Sequence, residues 1–133
     1  MTETISNETR FLHAIEMGLG AWQFGDRVFW SFGQTHTEAD IQAAFDTSIE
    51  AGIRFIDTAE VYGIGQSERF LGAMLKKAEQ PALIATKFFP YPWRVHRWFM
   101  QYALRNSLER LGLERVDLYQ IHWPNPIVQP EML

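Results

Sequence analysis

The sequence predicts an α/β fold: a parallel (β/α) sheet of the TIM-barrel type, truncated to about four strands and three helices, a half barrel. Three observations lead there. Short apolar runs alternate with longer segments of helical period, which is the pattern of strand-helix-strand units in a parallel sheet. Three successive apolar runs end on titratable side chains, Asp57, Lys87 and His122, so one end of the sheet collects chemistry, as the C-terminal strand ends of a barrel do. The chain has 133 residues, whereas a complete barrel of eight units takes about 250.

Residues 1–10 are polar and are expected to form a flexible tail ahead of a single domain at 11–133. Phe11 to Trp22 carries Ile15, Met17, Leu19 and Trp22 interrupted by Gly18 and Gly20, a strand whose backbone either passes close to another group or bends at a barrel corner. Gly25-Asp26 opens an aromatic loop, and Thr37 then caps a helix whose apolar face holds Ile41, Ala44, Phe45 and Ile49. Gly52 supplies its left-handed stop. The strand from Ile53 to Ile56 follows, and the polar cluster Asp57-Thr58-Ala59-Glu60 ends it, with Tyr62 five residues beyond Asp57 and able to swing back over the same mouth.

After Gly63 and Gly65, Ser67-Glu68 are expected to place a polar cap and an acidic residue at the start of a helix that runs to about Lys77 on a stripe of Phe70, Leu71, Met74 and Leu75. Ala82–Lys87 reads as the third strand, and the Pro-rich, aromatic stretch 88–93 as a structured loop above the mouth. A third helix is expected over Val95–Leu111, buried along Met100, Leu104, Leu108 and Leu111 and stopped by Gly112. Val116–Ile121 is the fourth strand, after which Pro124, Pro126 and Pro130 give extended loop. Neither G-L-G-A-W-Q nor G-I-G-Q-S-E completes the glycine pattern of a doubly wound dinucleotide fold.

Composition narrows the function. A net charge of −4, with no long basic run, argues against a nucleic-acid partner. With no cysteine and four dispersed histidines, neither a disulfide framework nor a thiolate metal site is available. No segment approaches a membrane span or has the order of a signal peptide, so a soluble, cytoplasmic protein is expected.

An Asp, a Tyr, a Lys and a His at one mouth, within the segments G-L-G-A-W, D-T-A-E-V-Y-G, G-Q-S-E-R-F-L-G, A-T-K-F and D-L-Y-Q-I-H-W, resemble the aldo-keto reductases over about residues 17–123. The resemblance implies NADPH-dependent reduction of a small aldehyde or ketone, with Asp57, Tyr62, Lys87 and His122 as catalytic residues. Tyr62 would donate the proton, Lys87 would assist it, Asp57 would hold the lysine, and His122 would orient the carbonyl oxygen. A phenol is a poor acid at neutral pH, and a nearby ammonium favours its anion, which explains why a lysine belongs beside it. Gly20 and Trp22 are implied at the cofactor, and Trp22 and Trp123 at the substrate pocket. Trp30 and Trp93 fall in loops expected at the mouth, where they either line the pocket or pack under those loops. His13, His36, His96 and the arginines of the third helix read as solvated or structural. Taken singly, each candidate also has an ordinary reading: a surface lysine, a core-rim tyrosine, a turn-forming aspartate, a satisfied histidine.

The family's grip on the cofactor comes largely from the second half of its barrel, which has no counterpart here. The chain is therefore expected to be an N-terminal fragment or to associate with another half. Its open sheet edges favour self-association. A non-catalytic partner protein resembling potassium-channel beta subunits is the alternative.

Overall fold

The computed structural model describes residues 15–124. Four strands, β1 (Gly18–Gly20), β2 (Phe55–Asp57), β3 (Leu83–Phe88) and β4 (Leu118–Ile121), form one parallel sheet in chain order. Gly20 lies opposite Asp57, Asp57 opposite Ala85, and Lys87 opposite Gln120. Between the strands run α1 (Glu38–Glu50), α2 (Gln66–Leu75) and α3 (Arg97–Leu111). The expected tail, the start of the first strand at Phe11, and His13, Pro126 and Pro130 lie outside the described residues. No helix among the described residues is long and apolar enough to cross a membrane.

The helices form where the apolar period places them. Ile41, Phe45 and Ile49 recur every fourth residue on α1, and all three are buried. They join Ile56 and Ile84 of the sheet, Leu71 and Met74 of α2 and Leu111 of α3 in a single core. Burying a side chain such as Phe45 stabilises the fold by about 1.5–3 kcal/mol relative to leaving it in water. Thr37 stands at the N-cap of α1, but the cap is closed by Asp40, whose Oδ2 accepts the Thr37 N–H and hydroxyl, each at 2.8 Å. That pair of bonds from Thr37 holds the Asp40 carboxyl below its ordinary pKa. Gly52, at φ +87, turns the chain out of α1 as expected.

Two expectations are corrected. Glu68 lies in the first turn of α2 as expected, but Ser67 does not cap it: Gly65, at φ +79, is the N-cap, and the Ser67 and Glu68 side chains are both fully buried. The Ser67 hydroxyl donates to Ala21 O at 2.6 Å and lies 2.8 Å from Thr58 Oγ1. Glu68 accepts the Thr86 hydroxyl at 2.6 Å and pairs with Arg110 Nε at 2.6 Å, while Arg110 also reaches Ser107 Oγ at 3.1 Å. What looks like an exposed helix start is a polar joint linking α2, β3 and α3. Secondly, α3 starts at Arg97, and its buried seam is Ala103, Ser107 and Leu111, with Met100, Leu104 and Leu108 only half-buried. A Cβ on Gly72 of α2 would stand 2.6 Å from Leu111 O, so the α2 backbone packs directly on the C-terminal end of α3, where the expected Leu111 is buried.

Candidate active site

Parallel strands in register bring their C-terminal ends side by side. Asp57 is the last residue of β2, Lys87 the penultimate residue of β3, and His122 follows β4 directly, with its N–H bonded to Phe88 O at 2.8 Å. Alternation then separates two roles on β3. Thr86 turns to Glu68 in the helix layer, whereas Lys87 turns to the mouth and donates to Asp57 Oδ2 at 2.5 Å and to Thr58 O at 2.9 Å.

Tyr62 arrives from a loop. Its N–H bonds to Ala59 O at 3.1 Å, and Gly63 (φ +55) and Ile64 (φ +57) then turn left-handed in succession. Only glycine fits at 63, because a Cβ would lie 2.7 Å from Gly25 O. The turn carries the Tyr62 ring to 5.1 Å from Lys87 Nζ, edge-on to His122 (5.4 Å between centroids, 88°) and stacked on Trp22 (5.7 Å, 22°). All four expected catalytic positions therefore converge.

His122 is framed by aromatic rings: Phe89 at 5.4 Å, and Trp123 stacked at 5.7 Å and 15°. Its Nδ1 is buried without a hydrogen-bond partner. Burial, and secondarily the positive charge of Lys87, push its pKa below the ordinary imidazole value, with Asp57 opposing them. The surroundings thus favour the neutral imidazole over the charged one.

The aromatic expectations divide. Trp22 and Trp123 each stack on one of the four, and Trp30 meets Trp22 edge-on at 5.5 Å. Trp93 stacks on Tyr91 (4.8 Å, 6°) and touches the site through Tyr91 and Phe89. The glycines divide too. A Cβ at Gly18 would strike the Phe55 ring at 2.8 Å, so close strand approach accounts for Gly18. At Gly20 a Cβ would meet nothing within 4 Å.

Sequence reasoning missed the loop anchor. Glu60 Oε1 accepts Phe89 N–H at 2.7 Å and pairs with Arg94 Nη1 at 2.5 Å, and Arg94 lies against Phe88 and Tyr91. Glu60 stood in the polar cluster after β2, but its partner is 34 residues away and nothing local signals the pairing. A cleft of about 610 Å³, lined by Val28, Phe29, Phe32, Val61, Ile64 and Phe70 among others, lies between the loop after β1 and the turn after Tyr62 and includes none of the four side chains.

Consecutive parallel β/α units with ionisable side chains gathered at the strand ends have the layout of one half of a (β/α)8 barrel. Comparison with known proteins agrees. The family model "Aldo/keto reductase family" matches residues 16–133. Pyridoxal reductase of Arabidopsis thaliana chloroplasts is 36% identical over 124 residues, covering 86% of this chain and 34% of that protein. A thermostable aldo-keto reductase solved with the inhibitor epalrestat superposes with a TM-score of 0.70 at 33% identity, covering 86% of this chain and 40% of that one. An aldo-keto reductase from Klebsiella pneumoniae in complex with NADPH gives 0.67 at 30% identity, covering 83% and 36%. The chain belongs to the aldo/keto reductase family, and it spans about a third of the length of the curated relatives it matches.

Proposed function

We propose that this chain is the N-terminal half, from residue 11 onward, of an NADPH-dependent reductase of small aldehydes or ketones, and that it supplies the catalytic side chains. The observation that carries the reading is the Lys87–Asp57 ion pair lying beside the Tyr62 ring, with His122 on that ring's edge. Two features fit a nicotinamide and a carbonyl: the open space over Gly20 beside the partly exposed Trp22, and the unpartnered Nδ1 of His122. When bound, the reduced nicotinamide supplies the hydride.

The chain's own residues then do the rest. As the carbonyl carbon gains hydride, Tyr62 gives its hydroxyl proton to the oxygen, so the C=O bond becomes a C–OH group and the phenol becomes a phenolate. Lys87 stabilises that negative charge, and Asp57 keeps the ammonium in place. Neutral His122 donates a hydrogen bond to the carbonyl oxygen and fixes its direction. Water returns the proton to Tyr62 afterwards.

Activity in this reading needs the rest of a barrel. Without the cofactor held in place, the positioning that makes hydride transfer effectively intramolecular is lost, a contribution of roughly 7–11 kcal/mol in favourable cases. NADPH oxidation with a panel of small aldehydes, measured on the 133-residue chain and on a complete barrel carrying it, tests the reading. Turnover is expected only in the complete barrel, and the isolated chain is expected to self-associate through the outer edges of β1 and β4 on a sizing column. A monomeric chain that reduces aldehydes alone sinks the half-barrel requirement. A complete barrel that binds NADPH but reduces nothing sinks the reductase reading and leaves the non-catalytic partner role.

A further inference from the structure

We propose that Asp26 is a positioning residue for Tyr62, acting through Trp22. The inference rests on the reductase reading only for its kinetic consequence. Asp26 is 4% exposed. The ion pairs among the described residues use Asp57, Glu60 and Glu68, whereas Asp26 is held by N–H donors. Its Oδ1 accepts Val28 N–H at 2.9 Å and Phe29 N–H at 2.8 Å, and its Oδ2 accepts the Trp22 indole Nε1–H at 3.1 Å. Burying a carboxylate is costly unless such donors replace water, so this loop is built around the carboxylate, and one of its two oxygens is committed to the indole.

The indole bond matters because packing alone does not fix Trp22, which is 41% exposed. With Nε1 tied to Asp26, the ring cannot rotate about its side-chain torsions without giving up that bond. Its face is thereby held against Tyr62 (5.7 Å, 22°), and Trp30 backs it edge-on. Tyr62 is gripped between the face of Trp22 and the ring of His122, with Lys87 beside it. Free the indole and Tyr62 regains rotamer freedom, so its hydroxyl spends less time where Lys87 and His122 act.

Asp26→Asn isolates the contact. The amide oxygen still accepts the Val28 and Phe29 N–H groups, but the amide NH2 then faces Nε1–H donor to donor. Trp22→Phe keeps a ring to stack and removes the N–H. In a complete barrel, Asp26→Asn is expected to lower kcat about tenfold, in line with the sensitivity of catalysis to small misplacements. In a Trp22→Phe background the same change should have no further effect. A second readout is independent of turnover: the nuclear Overhauser contact between the Trp22 and Tyr62 rings in the chain should weaken in Asp26→Asn. An equal loss of kcat in both backgrounds, or an undiminished ring contact in folded Asp26→Asn, overturns the proposal. If the wild type reduces no carbonyl substrate, the reductase reading fails while the ring contact still decides the role of Asp26. Should Asp26→Asn not fold, Trp22→Phe alone is expected to show the tenfold fall, and wild-type kcat there overturns the proposal.

Discussion

The Lys87 ammonium sits 5.1 Å from the centre of the Tyr62 ring while it is bonded to Asp57 at 2.5 Å. Its charge is therefore anchored by one neighbour and offered to another. In the proposed reaction the ammonium is thereby kept next to the ring that would give up its proton.

Tyr62→Phe removes that donor and keeps the ring that stacks on Trp22. In a complete barrel kcat should fall by at least about two orders of magnitude, the usual scale of acid-base assistance, while NADPH binding barely changes. Steady-state kinetics and a fluorescence titration measure the two parts. Wild-type turnover by the variant would show that another group delivers the proton.

His122 carries a pH signature. Its folded pKa is pushed below the ordinary value of 6.5 by burial and by Lys87. The folded state therefore binds fewer protons than the unfolded chain between those two values, and stability declines as pH falls from about 6.5 through the folded pKa. Above that window His122 is neutral in both states and contributes no slope. Melting temperatures across this range should drop less steeply for His122→Gln than for the wild type. Parallel profiles for the two proteins would remove His122 from the account.

Glu68→Gln tests the buried joint. The substitution leaves the Arg110 guanidinium, only 16% exposed, without a counter-charge. Breaking a buried pair on one side typically costs about 3–5 kcal/mol. Urea denaturation should report a loss of that order, and a loss below about 1 kcal/mol would mean the pair behaves like an exposed one.

Much of the site is legible in the sequence because its signals are local. Apolar runs announce β2, β3 and β4, and the residue that closes each run is visible in the same few positions, so the order of amino acids alone places Asp57, Lys87 and His122 at strand ends. Left-handed stops at Gly52 and Gly112 are legible for the same reason. Glu68 is misread because its meaning depends on Arg110, 42 residues away, and its local setting matches that of an ordinary helix start. The face of α3 is read correctly at Leu111 and misread at Ala103 and Ser107, because apolar period identifies large side chains and passes over small ones. Asp26 and Glu60 look like loop polarity until the N–H groups they bind are seen in space.

Thr86 and Lys87 are neighbours on β3, one tied to Glu68 in the helix layer and the other to Asp57 at the mouth. Their alternation makes the frame of this strand a chemical variable. Sliding β3 by one residue would exchange the two environments, sending a lysine into the polar joint and a hydroxyl to the Asp57 side. Single-residue insertions should therefore be absorbed at 78–81, ahead of the strand, and be intolerable within Leu83–Phe88. Length is free to vary in the connections, while the strands act as a fixed ruler on which the reactive groups are spaced.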